Sequence, residues 1–80
     1  MYIYKSPVGL MVIHYNKELK KYILTINETY NDYHDSKDSA ASNVYMHETG
    51  YTEWDDLHGI VDPPHDISEW LISWINNFSK

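Results

Sequence analysis

The hydrophobic period of this chain changes once, near Asp35, and that change most limits what it can fold into. Before it, the pattern is that of strands. Met1–Lys5 alternates Tyr2 and Tyr4 with Met1 and Ile3. Ser6-Pro7-Val8-Gly9 reads as a turn, with proline fixing φ and glycine freeing it. Leu10–Tyr15 is a second strand, apolar on both faces, as expected of a central strand. Asn16-Lys17-Glu18 is a hairpin loop, and Leu19–Asn27 is a third strand with Tyr22, Leu24 and Ile26 toward the core. Tyr30–His34 is a short fourth strand at an edge, where Asp32 and His34 discourage further pairing.

After Asp35 the period is helical. Asp35 or Ser36 caps a helix, and Asp38 lies in its first turn near the positive end of the dipole. Ala40, Ala41, Val44, Tyr45 and either His47 or Glu48 form a narrow stripe whose alanines let the helix approach a sheet closely, and Gly50 stands at its end. Thr52 caps a single turn over Glu53–Leu57, and Pro63-Pro64 forces extended chain. Asp66 with Glu69 is a capping-box-like pair. Ile67, Trp70, Leu71, Trp74, Ile75 and Phe78 fall on one face of a last helix over about Ile67–Phe78, with Ile72 off that face. The fold class that follows is α+β, with a three- or four-stranded antiparallel sheet and helices packed on one face.

Eighty residues form one domain, 1–80, too short for a dinucleotide fold with a substrate domain or for a barrel enzyme. No cysteine is present, which removes disulfides, thiolate metal sites and a thiol nucleophile. An apolar fraction of 42% is too high for a disordered chain, so the fold rests on packing alone. No apolar run reaches the roughly 20 residues of a membrane span, and no signal peptide is read at the start, so a cytoplasmic protein is expected.

The net charge of −6 is unevenly spread. Residues 1–27 carry four lysines against Glu18, whereas residues 28–69 carry eleven carboxylates against Lys37, a local charge of −10. Such a segment repels phosphate, so direct nucleic-acid binding is not expected, while a basic protein surface would be drawn to it. Tyrosines interleaved with the acids supply rigid anchors with a charged rim. The expected partner-binding residues are Tyr30, Asp32, Tyr33, Asp35, Asp38, Glu48, Tyr51, Glu53, Asp55, Asp56 and Asp62, with Tyr30, Tyr33 and Tyr51 exposed and Trp54 in the core.

Catalytic motifs are missing. There is no G-x-S-x-G elbow, and Ser36, Ser39, Ser42, Ser68, Ser73 and Ser79 could act as nucleophiles only beside an oriented base. Five histidines accompany the acids, yet none shows H-E-x-x-H spacing, and Asp32, Asp35 and Asp38 do not follow a calcium-loop spacing. Neither an enzyme nor a cofactor is expected. A self-associating structural or accessory domain and a divalent-metal-binding protein are the two alternatives to a binding inhibitor.

The segment S-K-D-S-A-A-S-N-V-Y-M-H-E-T-G-Y-T-E-W-D, residues 36–55, resembles a pattern in small bacterial and phage proteins. There a strand-rich N-terminal part precedes a helix carrying A-A-x-x-V-Y, then T-G and W-D. Ala40, Ala41, Val44, Tyr45, Thr49, Gly50, Trp54 and Asp55 match it, and the opening Y-x-Y-K-S-P-V-G also fits. The resemblance implies a fold type and no site residue. In size, acidity and single-domain build the chain is similar to phage anti-CRISPR and other anti-defence inhibitors. That similarity implies a CRISPR effector or another nucleic-acid-handling protein as partner, met in the host cytoplasm if the chain is phage-encoded.

Overall fold

The computed structural model describes residues 1–73. Five strands, β1 (Tyr2–Ser6), β2 (Gly9–Asn16), β3 (Lys21–Ile26), β4 (Tyr30–His34) and β5 (Leu71–Ile72), form one antiparallel sheet in the order β4-β3-β2-β1-β5. Between β4 and β5 lie α1 (Lys37–Tyr45), the single turn α2 (Thr52–Asp55) and a 3-10 turn at Ile67–Glu69. The class is α+β, with one helix of length packed on the sheet.

Turn chemistry sets the register. Ser6 donates its hydroxyl to the Gly9 carbonyl and accepts from the Val8 N–H at 3.2 Å. Gly9 sits at φ +121, and a Cβ there would meet Asn27 at 2.6 Å, so only glycine fits between these two turns. Asn27 and Glu28 are both left-handed, and the Thr29 N–H closes the β3–β4 turn on the Ile26 carbonyl at 3.1 Å.

With that register fixed, Tyr4, Met11 and Ile26 share one face with Tyr2, Ile13 and Leu24. Met11, Ile13, Leu24 and Ile26 are fully buried there under Ala40, Ala41, Val44, Trp54 and Trp70. The alanines allow α1 to lie close, and Tyr4 stands between the two indoles, 6.0 Å from Trp54 and 5.7 Å from Trp70. Ser36, not Asp35, caps α1, accepting the Ser39 N–H at 3.0 Å. The opposite face of the sheet carries Ile3, Leu10, Val12, Ile23, Tyr33 and Leu71, and no described helix packs on it.

The helix expected over Ile67–Phe78 is corrected where the described residues reach. Asp66 does cap a turn, through the Ser68 N–H at 2.9 Å, and Glu69 accepts the His65 N–H at 2.8 Å. The turn stops there, because Trp70 is extended at ψ 150 and buried beside Tyr4, and Leu71–Ile72 then pair with β1. Completing the open edge of β1 satisfies main-chain groups that a helix would leave to solvent, and this long-range pairing overrides the local period. Trp74, Ile75 and Phe78 lie outside the described residues. The sheet therefore has five strands instead of three or four.

Candidate partner-binding site

Chain order and layer order coincide, so the charge boundary in sequence becomes one in space. Residues 35–73, which supply the helix layer and β5, hold nine carboxylates against Lys37. Residues 1–34, the four-stranded meander, hold four lysines against Glu18, Glu28 and Asp32.

Within the acidic layer the end of α1 builds a cleft. After Tyr45 the chain leaves the helix through Met46, and His47 takes the left-handed φ of 55 that glycine usually supplies at this point. The turn carries its imidazole inward, flat on Trp54 with centroids 4.3 Å apart and planes within 14°. Trp54 in turn donates its indole N–H to the Val44 carbonyl at 3.0 Å. His58 stands edge-on to His47 at 5.5 Å. His47 is 7% exposed and neither ring nitrogen completes a hydrogen bond. Burial first, then the neighbouring His58, pushes its pKa below the ordinary 6.5, against opposing pulls from the Tyr45 backbone and Asp55. The ring is therefore neutral at pH 7.

A cavity of about 510 Å³ lies between this end of α1 and the 58–63 loop. Tyr45, Met46 and Ile60 give it an apolar wall, Ile60 being 74% exposed, while Glu48 and Asp62 supply acid at its margin.

The expected binding residues divide into three groups. Asp38, Glu48, Glu53 and Asp56 are exposed, and their carboxylates meet no hydrogen-bond or ion-pair partner among the described residues. Asp62 is also exposed, 3.7 Å from His65. A second group is engaged internally. Asp35 pairs with Lys21, which holds its carboxyl below the usual carboxylate range. Asp32 meets His34 at 2.8 Å. Asp55 braces the loop before α2, accepting the Thr49 N–H at 3.0 Å, the Thr49 hydroxyl at 2.8 Å and the Gly50 N–H at 2.8 Å.

The tyrosines form the third group. Tyr30 and Tyr51 were expected to be exposed, yet both are half-buried, packed together at 5.6 Å, with the Tyr30 hydroxyl donating to the Thr49 carbonyl at 2.8 Å. Burial, with the charges of Asp32 and Asp55, raises the Tyr30 pKa above its ordinary 10. Tyr33 is exposed but opposes Ile23, on the sheet face away from the acidic layer. Tyr45, which the sequence places on the core stripe, is 45% exposed and contacts His65 instead.

Sequence reasoning missed His47, Met46 and Ile60 as site residues. Only the left-handed turn at His47 makes them neighbours, and a histidine in place of glycine gives no sign of it. It also missed a hydrogen-bonded chain joining β4 to α1, in which His34 meets Asp32 at 2.8 Å through Nε2 and Ser39 at 3.0 Å through Nδ1. Among the described residues no group of three histidine, aspartate or glutamate side chains is placed to hold a metal ion. No described helix is long and apolar enough to cross a membrane. Compared with family models, with curated proteins and with solved structures, the chain finds no match.

Proposed function

We propose that this chain works by binding, laying its acidic helix layer on a basic surface of a partner protein and so occluding it. The carrying observation is the division of charge between the two layers: nine carboxylates against one lysine in residues 35–73, beside a meander with four lysines. Exposed acids speed and orient such an encounter. The wall of Tyr45, Met46 and Ile60 supplies apolar contact at its centre, and contact of that kind carries affinity. A nucleic-acid site on a CRISPR effector or another defence protein, met in the cytoplasm, is a partner surface of the right sign.

The test is retention of the partner from the native host on immobilised protein at low and high salt. Asp38→Lys, Glu53→Lys and Asp56→Lys combined reverse charge without touching an internal bond. Wild-type protein should release its partner as salt rises, and the triple variant should fail to retain it. Equal retention by both would overturn the reading.

One observation favours a second reading, association of two copies. The sheet face on which no described helix packs holds a groove of about 540 Å³ lined by Ile3, Leu10 and Val12, with Leu71 62% exposed on the same face. Sedimentation over a concentration range decides it: a strict monomer removes this reading.

A further inference from the structure

We infer that Ser39 is an activated nucleophile, served by His34 as general base and Asp32 as the residue that positions that base, and competent to take the acyl group of a small ester. This goes beyond the binding reading and uses none of its residues in the same role.

Asp32 as a carboxylate can only accept, so the 2.8 Å contact to Nε2 requires that nitrogen to carry the imidazole proton. In the neutral ring Nδ1 is then a bare acceptor. Ser39, 3.0 Å away, must be the donor, with its hydroxyl proton directed at the base. A serine, a histidine of fixed tautomer and an orienting carboxylate in sequence are the roles by which a catalytic triad is recognised, whatever the fold or chain order. Here the two ring nitrogens are exchanged relative to the serine-protease arrangement, which leaves the logic of proton transfer unchanged.

The fold holds these parts firmly. Asp32 and His34 are two apart on β4 and therefore share a face, and the His34 side chain is 8% exposed, clamped between sheet and helix. Ser39 sits in the first turn of the nine-residue α1, capped by Ser36, and its main chain is fixed by that cap. It is exposed, so an ester reaches it from solvent.

In the reaction the Ser39 Oγ bonds to the ester carbonyl carbon as its proton passes to His34 Nδ1. The tetrahedral adduct collapses, and the departing alkoxide takes that proton and leaves as the alcohol. Water then attacks the acyl-serine with His34 again as base, releasing the carboxylic acid and restoring Ser39. No oxidant, reductant or metal is needed.

An alkyl fluorophosphonate tests this without a known substrate, because it bonds to an activated serine with loss of fluoride. Peptide mass mapping should place the adduct on Ser39, formed at least about tenfold faster than on Ser42 of the same helix. Ser39→Ala should remove it. Asp32→Asn should slow it about tenfold or more with an unchanged melting temperature, as should His34→Gln if that variant folds. Should His34→Gln unfold, the Asp32→Asn rate decides alone. No adduct on Ser39, a rate equal to that of Ser42, or labelling indifferent to Asp32→Asn would each overturn the inference and show the chain to be a structural tie between β4 and α1.

Discussion

His47 lies face to face with Trp54, its ring centroid 4.3 Å from the indole, in a place where neither imidazole nitrogen has a hydrogen-bond partner. A neutral ring can be tolerated there, while a charged one would lose more to burial and to the neighbouring His58 than the Tyr45 backbone and Asp55 return.

Stability should therefore depend on pH through His47. Its folded pKa is depressed, so the folded state binds fewer protons than the unfolded chain once pH falls below about 6.5. The contribution is complete above that value and is lost progressively as pH drops toward the folded pKa. Urea midpoints at pH 7.5 and 5.5 should fall for wild type. His47→Phe keeps the stacked ring and removes the titration, so its own midpoint should fall less over the same interval, whatever its starting value. An equal fall would assign the pH dependence elsewhere.

Asp55 should matter more to folding than to recognition. Its two oxygens close three hydrogen bonds onto Thr49 and Gly50, and Asp55→Ala leaves those donors without a partner. A loss of about 2–3 kcal/mol is expected from the urea midpoint. Asp55→Asn should lose less, since its amide oxygen still accepts.

Gly50→Ala is expected to be costly for two reasons. The residue sits at φ +90, and a Cβ there would stand 2.5 Å from the Tyr30 hydroxyl. That hydroxyl is tied to the Thr49 carbonyl, so it cannot yield without breaking its bond. Destabilisation of about 1–3 kcal/mol should appear, with a shift in the Tyr30 ring resonances.

Removing the cap of α1 gives a smaller effect. Ser36→Ala orphans the Ser39 N–H and should lower stability by about 0.5–2 kcal/mol in denaturant melts. Ser36→Asp should restore most of it.

How much of this was legible in the sequence depended on whether a local or a distant partner decided each element. The meander was readable because alternation and turn residues act within a few positions: Tyr22, Leu24 and Ile26 face the core as their spacing predicts. The small-residue face of α1 and the burial of Trp54 were readable for the same reason. The last segment was not, because the partner of Leu71 and Ile72 is β1, at the other end of the chain. The site was only half visible. Its acids could be counted, but whether an acid is free or engaged rests on contacts such as Lys21 with Asp35, fourteen residues apart. Ser39 and His34 are five residues apart across a strand-to-helix turn, and neither helical nor strand spacing draws attention to them.

The pairing of Leu71 and Ile72 with β1, extended by the Ser73 N–H to the Met1 carbonyl at 2.9 Å, ties the last described residues to the first. During synthesis β1 stays a raw sheet border until residue 72 clears the ribosome. A nascent or truncated chain ending at Trp70 would present that border to any neighbouring strand, so incomplete copies should be the ones that aggregate.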